Sequence, residues 1–511
     1  MTDGVYPDAT TRRFITFSVM AATIMNALDS TIANVALPHI QGSVSASQEE
    51  ITWVLTSYIV SAAIFTPLTG WLAGRFGRKW LMLVSVVGFT IASMLCGLAT
   101  NLDELVLFRI LQGVFGAALV PMSQAILLDI NPPERHGPAM AIWGMGAVLG
   151  PIIGPALGGW LTDNFSWRWV FYINLPVGIV TFLGISGFLS ETKNKNQPAL
   201  DLIGFALLAL GLGFMQLMLD RGQTQDWFNS TEIWVECVAA IFFLYLFLVH
   251  ILTAKNKPFI ELALFADRNF VLGSFFGFFL GVLLFSVLAL LPPMLEQLMG
   301  YPVVLTGLVT APRGIGTMIS MVLVGQLIRR IEIRVLLLTG LLLSAASMYI
   351  MSGFTLGMDE KLVVVSGFVQ GLGTGLIFVP LSTIAFATLD TRLRNEGAAM
   401  FTLIRNIGSA IGISVLQAMT IRNAAMVHSR LVEGIRPDNP TLGWHMPDFD
   451  FNLPSAVAGM NGEITRQATM VSYVDAYWGL FLVTLAMAPM ILFMRPAKRK
   501  PDDEDLGLHM E

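Results

Sequence analysis

Apolar runs of about 20 residues alternate with short polar segments along almost the whole chain. Because about 20 helical residues cross the ~30 Å hydrocarbon core of a bilayer, each run is long enough to span a membrane. The pattern predicts an all-α polytopic membrane protein. Its fourteen transmembrane helices, called spans 1 to 14, are predicted at residues 14–37, 51–73, 80–99, 102–127, 138–161, 169–189, 200–219, 233–252, 270–291, 305–328, 334–354, 362–384, 398–421 and 475–494.

The positions of lysine and arginine test this number of spans. If the N-terminus is cytoplasmic, twenty of the 30 lysine and arginine residues fall in cytoplasmic segments, and outer loops hold seven. Arg109, Arg313 and Arg405 lie within spans. A missed span would invert every later loop and destroy this positive-inside bias, so the bias supports fourteen spans with both termini cytoplasmic.

The chain also repeats itself at an offset of about 255–260 residues, a spacing typical of parallel transporter repeats. The pattern G-x-L-x-x-R that begins at Gly70 recurs at Gly325, and Gln112-Gly113 recurs as Gln370-Gly371. Spans 2–5 therefore correspond to spans 10–13. We predict a six-helix N-terminal bundle over 1–190, a linker with two inserted spans over 191–268, a six-helix C-terminal bundle over 269–494 that includes an outer loop at 422–474, and a cytoplasmic tail at 495–511.

Composition narrows the function. The chain is 55% hydrophobic and 13% charged, whereas soluble proteins carry about 25% charged residues. It has no basic patch for nucleic acid, and its six histidines have no metal-ligand spacing. The absence of a G-x-x-x-x-G-K-[ST] motif argues against an ATP-driven pump. A membrane-embedded transferase would need clustered acidic or histidine residues at one interface, or a soluble catalytic domain, and the sequence has neither.

Asp29 and Arg109 are the strongest candidates for chemistry inside the membrane. Asp29 lies about eight residues before the outer end of span 1, and Arg109 about seven residues after the outer start of span 4, so both lie roughly 10–12 Å below the outer surface. Ionisable groups at that depth are costly and usually face a partner or a wet cavity. The matching depth predicts an ion pair, either a proton-coupling pair or a static bridge between the two spans.

Four further residues are candidates to line a substrate cavity: Asn34, Gln112, Arg313 and Arg405. Either arginine could instead bind backbone carbonyls freed by nearby glycine and proline. Counting Arg109, three deep arginines against one clearly deep carboxylate favour neutral or anionic amphiphiles over organic cations as substrates.

Span 5 is unusually rich in glycine and proline for a helix. Small residues four apart let two membrane helices approach closely, so the sequence predicts a smooth stripe that packs or slides against another helix. The residues that define this segment are Gly150, Pro151, Gly154, Pro155, Gly158 and Gly159.

Several motifs together resemble the fourteen-span drug:proton antiporters of the EmrB/QacA type in the major facilitator superfamily, most closely the EmrB side. They are LDSTIANVALP at 28–38, GWLAGRFGRK at 70–79, the glycine-rich signature of span 5, and SWRWVFYINLPVG at 166–178. The resemblance implies the major facilitator fold, alternating access, proton-driven export without a cofactor, and a close contact of the span 5 stripe with span 10. In the span 2–3 loop it also implies a conformational motif, here Gly70, Gly74, Arg75, Gly77 and Arg78, in which Gly74 replaces the usual acidic residue.

We therefore predict a proton-coupled multidrug efflux transporter in the bacterial cytoplasmic (inner) membrane, not an enzyme, with Asp29 as the proton carrier and Arg109 setting its affinity. An exporter of one metabolite or siderophore is the alternative, and an importer of the same fold is a further rival. The resemblance implies a periplasmic membrane-fusion adaptor and an outer-membrane channel as partners, and the long 422–474 loop is the predicted adaptor contact.

Overall fold

In the computed structural model the protein is a bundle of long helices. The structure describes residues 6–493 except 48–49, 193–198, 255–257, 329, 437 and 440–448, so the tail at 495–511 lies outside it. Within the described chain, thirteen helices are long and apolar enough to cross a membrane, and one bent pair makes a fourteenth. No strand occurs among these residues, which confirms the predicted fold class.

The helices are numbered α1 to α14 in the order of the predicted spans. Their bounds are α1 Ala9–Val44, α2 Glu50–Phe65 with Leu68–Phe76, α3 Arg78–Leu98, α4 Leu102–Ile130, α5 Pro133–Asn164, α6 Trp169–Phe188, α7 Leu202–Arg221, α8 Thr231–Thr253, α9 Arg268–Leu298, α10 Val304–Leu327, α11 Ile333–Met351, α12 Glu360–Ala387, α13 Arg394–Val432 and α14 Pro454–Leu492. We call the side where α1 begins and α14 ends the terminal side, and the other the opposite side.

Local chemistry sets where several helices begin and bend. Helices α1, α4, α7, α9 and α12 each begin at an aspartate or asparagine whose side chain accepts a backbone N–H of the first turn, which satisfies donors that the helix itself leaves unpaired. Helix α2 bends by 56°. The bend falls at Pro67, which has no N–H to donate.

The helices pack as two bundles with a pair between them. In the N-terminal bundle α1 contacts α4, α5 and α6, and α4 contacts α2 and α3; in the C-terminal bundle α12 contacts α9, α10 and α11, and α13 contacts α9 and α14. Helices α7 and α8 pack on each other, and α7 contacts both α2 and α13. The bundles meet each other where α5 contacts α10 and α12, and where α13 contacts α2 and α4.

The segment predicted as a long outer loop, 422–474, is largely helical. Helix α13 continues to Val432 and α14 begins at Pro454, each with 39 residues, or about 58 Å of helix. Since about 30 Å suffices to cross the hydrocarbon core, both helices project well beyond the opposite side. The polar residues of this segment indicate that it lies in water, and they do not indicate a loop. A helix satisfies its own backbone hydrogen-bonding groups in water as well as in lipid.

Candidate functional site

Asp29 and Arg109 form a buried ion pair. The Nη1 atom of Arg109 donates to Asp29 Oδ2 at 2.7 Å, and both residues are 0% exposed. Removing two charges from water is unfavourable, and this desolvation cost is offset only by good geometry of the pair and by further hydrogen bonds. The surroundings of the carboxylate therefore decide whether the pair is stable.

Two amide side chains bind the other oxygen of the same carboxylate. Gln112 Nε2 and Asn174 Nδ2 donate to Asp29 Oδ1 at 2.7 and 2.9 Å. Asn174 also donates to Ser93 Oγ at 2.9 Å. The carboxylate thus accepts three donors, and the network joins α1, α3, α4 and α6.

Arg109 is held by groups besides the carboxylate. Its Nε donates to the Val54 carbonyl at 3.0 Å and its Nη1 to Gln112 Oε1 at 2.8 Å. The guanidinium carbon lies 4.3 Å from the centroid of the Tyr58 ring, within cation–π range. Arg109 Nη2 is buried and has no hydrogen-bond partner among the described residues, so both N–H groups of this nitrogen stay unused.

Sequence reasoning missed part of this cluster. Asn174, Ser93 and Tyr58 were not among the predicted site residues, although Asn174 and Tyr58 are polar side chains within apolar spans. Gln112, predicted to line a substrate cavity, is instead 0% exposed and binds Asp29. It lies three residues after Arg109, so one helical face carries both side chains.

Asn34 lies on a different face of α1 from Asp29. Five residues separate them, which turns the helix by about 500°, or 140° net. Asn34 and Ser30, one turn before it, are both exposed, whereas Asp29 is buried. The exposed polar side chains lie toward the opposite side of the membrane.

Arg313 and Arg405, the other two deep arginines, lie in the C-terminal bundle. Arg313 Nη2 donates to the Leu284 carbonyl at 3.0 Å. The guanidinium carbon of Arg405 lies 5.9 Å from the centroid of the Phe378 ring. They are 7% and 9% exposed, so both are almost enclosed by protein.

The glycine stripe of α5 packs against α1, which corrects the expected contact with span 10. A Cβ at Gly150 would lie 2.5 Å from the Leu28 backbone nitrogen, and one at Gly158 would lie 2.7 Å from Ile32. A Cβ at Gly154 would collide with Thr31.

Helix α10 does contact α5, but through another face. Ile152 lies next to Gly314, and Ala141 next to Gly325. Because residues 150 and 152 are about 200° apart around a helix, the two neighbours occupy opposite faces of α5. Pro151 and Pro155 lie inside this helix.

The motif between α2 and α3 serves mainly to start α3. Gly77 has φ of +100°, a conformation that favours glycine, and the carboxylate of Glu191 accepts the Lys79 and Trp80 backbone N–H groups at 3.2 and 3.0 Å. Arg75 is exposed and Gly74 half-buried.

A Cβ at Gly70 would lie 2.9 Å from the Glu396 Cα of the other bundle, so this glycine allows the two bundles to touch.

Asp129, at the terminal end of α4, binds arginines from both bundles. Arg78 Nη1 pairs with Asp129 Oδ2 within the N-terminal bundle. Arg394 Nη1, from the first turn of α13, donates to Asp129 Oδ1 at 2.9 Å. The sequence predicted no role for Asp129, although it is a carboxylate close to the end of an apolar span.

The arrangement favours charge movement and conformational change over bond chemistry. It consists of a buried carboxylate held by three donors within the N-terminal bundle and an ion bridge between the two bundles. Among the described residues, no group of three or more His, Cys, Asp or Glu is placed to hold a metal ion.

Comparisons with known proteins agree with this architecture. The family model described as Major Facilitator Superfamily matches residues 19–413. The chain is 35% identical to Multidrug export protein EmrB of Haemophilus influenzae over 94% of this chain and 95% of that protein. It is also 35% identical to Fatty acid resistance protein FarB of Neisseria gonorrhoeae, over 94% of this chain and 96% of that protein.

Solved structures share the fold. The proton:xylose symporter XylE, bound to 6-bromo-6-deoxy-D-glucose, superimposes with a TM-score of 0.62 at 13% identity, covering 96% of this chain and 98% of that chain. At that identity the likeness concerns the fold alone.

Proposed function

This chain belongs to the Major Facilitator Superfamily, in the group that contains the EmrB multidrug export proteins, and we propose that it is a proton-coupled multidrug exporter. It moves amphiphilic small molecules out of the cell by alternating access, with the terminal side in the cytoplasm. The observation that carries the proposal is the buried Asp29–Arg109 pair within a chain similar along 94% of its length to a multidrug export protein.

Alternating access requires two bundles that move as units about a shared interface. The contacts between the bundles involve α2, α4 and α5 on one side and α10, α12 and α13 on the other. The ion bridge at Asp129 and the close approach at Gly70 both lie at the terminal side. Asn34 and Ser30 are exposed toward the opposite side. These features support an arrangement that is closed at the terminal side, from which substrate leaves on the opposite side.

We assign proton coupling to Asp29. Three donors hold its carboxylate. Protonation removes the charge that Arg109 binds and frees that side chain to move. Because the network joins α1, α3, α4 and α6, the two protonation states favour different packings of the N-terminal bundle, which is what coupling requires.

The driving force suffices for concentrative export. One proton charge that crosses 100 mV supplies roughly 2.3 kcal/mol. At tenfold per 1.4 kcal/mol, this corresponds to about a 50-fold gradient of a neutral substrate.

Inside-out membrane vesicles with an imposed pH gradient test the proposal. The wild-type protein should accumulate amphiphilic dyes only when the gradient is present. Asp29→Asn, which mimics the protonated carboxyl, should bind dye and exchange it across the membrane but should not concentrate it. Asp103→Asn makes the same chemical change at an exposed carboxylate on α4 and should pump normally.

Three outcomes would contradict parts of the proposal. Gradient-driven pumping by Asp29→Asn with an unchanged pH dependence would make the pair a static bridge and place the proton site elsewhere. Dye movement into the cytoplasm would indicate an importer, a possibility that fold alone does not exclude. Export of one metabolite or siderophore, with no transport of unrelated amphiphiles, would support the specific exporter instead.

We further propose that the projecting ends of α13 and α14 bind an adaptor of the membrane-fusion type. Side chains tie the two ends together: Asn423 Nδ2 donates to Asp475 Oδ2 at 2.6 Å, and His428 hydrogen-bonds to Asn461 at 3.0 Å. Exposed apolar side chains lie on both helices, at Met426 and Val457. A built helical pair with apolar surface beyond the bilayer fits a protein partner on the opposite side.

A further inference from the structure

The buried positive charges of the two bundles are balanced differently. In the N-terminal bundle the Asp29 carboxylate neutralises Arg109. In the C-terminal bundle Arg313 and Arg405 are buried, and neither forms an ion pair with a carboxylate among the described residues. A charge inside the membrane is costly without a partner, so this bundle is complementary to an anion.

Arg405 is the less satisfied of the two arginines. Arg313 donates to the Leu284 carbonyl. Arg405 is 9% exposed, and its Nε atom is buried without a hydrogen-bond partner among the described residues. Its guanidinium carbon lies 5.9 Å from the centroid of the Phe378 ring. A buried donor without an acceptor is destabilising, and an incoming acceptor would remove this cost.

Arg405 also lies beside the seam between the two bundles. Phe378 of α12, the ring beside Arg405, stacks on Trp143 of α5 with ring centroids 5.5 Å apart, so Arg405 neighbours a residue that contacts the other bundle. Arg405 is eleven residues into α13, or about 16 Å along the helix. That depth is near the middle of a ~30 Å hydrocarbon core.

The backbone around Arg405 is packed tightly against α9. A Cβ at Gly281 would collide with the Arg405 carbonyl, and one at Gly408 would collide with the Phe278 carbonyl. These contacts fix α13 on α9, so the position of the Arg405 side chain is set by the bundle rather than by a mobile segment.

Resting on the proposed export function, we infer that Arg405 binds the acidic headgroup of the exported amphiphile. The planar guanidinium matches a carboxylate with two parallel hydrogen bonds, and the Nε atom of Arg405 is a buried donor without a partner among the described residues. The preferred substrates are therefore anionic amphiphiles, and Arg405 determines that preference.

Equilibrium binding to a matched pair of probes tests this inference. The probes are 11-(dansylamino)undecanoic acid and its neutral methyl ester, and their fluorescence reports binding to the full-length protein in lipid nanodiscs. In the wild type the acid should bind more tightly than the ester. In Arg405→Gln the ratio of the two Kd values should shift against the acid by at least tenfold, because only the acid loses a charged partner.

Further variants separate charge from structure. Arg405→Met replaces the buried charge with an apolar side chain and should give the same shift, which covers a failure of Arg405→Gln to fold. Arg405→Lys keeps the charge without the planar fork and should give a smaller shift. Arg422→Gln, an exposed arginine on the same helix, should leave the ratio unchanged.

An unchanged acid-to-ester ratio in both Arg405→Gln and Arg405→Met would overturn the inference, as would an equal weakening of both probes. Binding at equilibrium does not depend on the direction or energy source of transport. A protein that shows the Arg405-dependent ratio but no gradient-driven pumping would therefore overturn the export proposal alone.

Discussion

Asp129 is a single carboxylate that binds arginines from both halves of the molecule. One oxygen pairs with Arg78 and the other with Arg394. The span 2–3 motif has Gly74 where the family usually has an acid, so the motif itself supplies no carboxylate there. Asp129 joins the motif arginine and the second bundle in its place, and we expect its charge to stabilise closure of the terminal side.

Asp129→Asn should open the terminal side. Hydrogen bonds to charged groups contribute roughly 1.5–3 kcal/mol each, so the closed arrangement should lose at least about tenfold in population. Glu134 and Asp390 are exposed positions near the terminal ends of the two bundles. Spin labels attached there, in a Cys237→Ser background that prevents labelling of Cys237, would report the distance between the bundles by pulsed electron paramagnetic resonance.

The same label pair supplies the control. Asp163→Asn changes an exposed carboxylate on the opposite side and should leave the distance distribution as in the wild type. If Asp129→Asn also leaves it unchanged, the bridge is a consequence of closure and does not stabilise it.

At the scale of elements, α5 shows how one helix serves two interfaces. Its glycines let α1 approach within the same bundle, and the face around Ile152 meets α10 of the other bundle. In the proposed alternating-access cycle we therefore expect α10 to slide over α5, while the α1–α5 contact stays within the N-terminal bundle.

Gly150→Val should abolish export while the protein still inserts. A Cβ there would lie 2.5 Å from the Leu28 backbone nitrogen, and backbone cannot yield as a flexible side chain does, so the overpacking costs about 1–3 kcal/mol or more. Gly159→Val is the matched control, because its Cβ would lie 3.7 Å from Val35, an ordinary contact. Vesicle transport and the amount of inserted protein measure the result.

Full activity of Gly150→Val would show that α1 and α5 can separate without loss of function. An equal loss of export in Gly150→Val and Gly159→Val would indicate that any larger side chain on α5 is harmful, and not specifically one at its contact with α1.

At the scale of the whole molecule, the projecting helical pair extends the transporter beyond the bilayer. It is also anchored to the C-terminal bundle, since Arg466 Nε donates to the Leu298 carbonyl at 3.2 Å. A partner bound to this pair would be displaced by movements of α13 and α14.

Met426→Glu combined with Val457→Glu should lower drug resistance in cells at least several-fold and leave vesicle transport unchanged. The charges disrupt an apolar docking surface, whereas the substrate path lies within the bilayer. Ser429→Glu places the same charge at an exposed polar position nearby and should keep resistance intact. Loss of vesicle transport in a correctly inserted double variant would indicate that the projecting pair acts as a gate and not as a partner surface.

The sequence alone determined the fold class, the number and order of spans, the parallel repeat, and the matching depth of Asp29 and Arg109. These properties follow from hydrophobicity and from position along each helix, and both are linear in the chain. The glycine-rich signature in α5 is equally visible in the sequence, because glycine at every fourth residue defines a helix stripe wherever the helix is placed.

Only the tertiary structure decided which neighbour meets each face. It placed α1 on the glycine stripe, brought Asn174 to the Asp29 carboxylate, and turned Gln112 toward that carboxylate. These contacts join residues as far as 145 positions apart in the chain. They depend on how each helix is rotated within its bundle, and that rotation results from the packing of all its neighbours together rather than from the local pattern of any one helix.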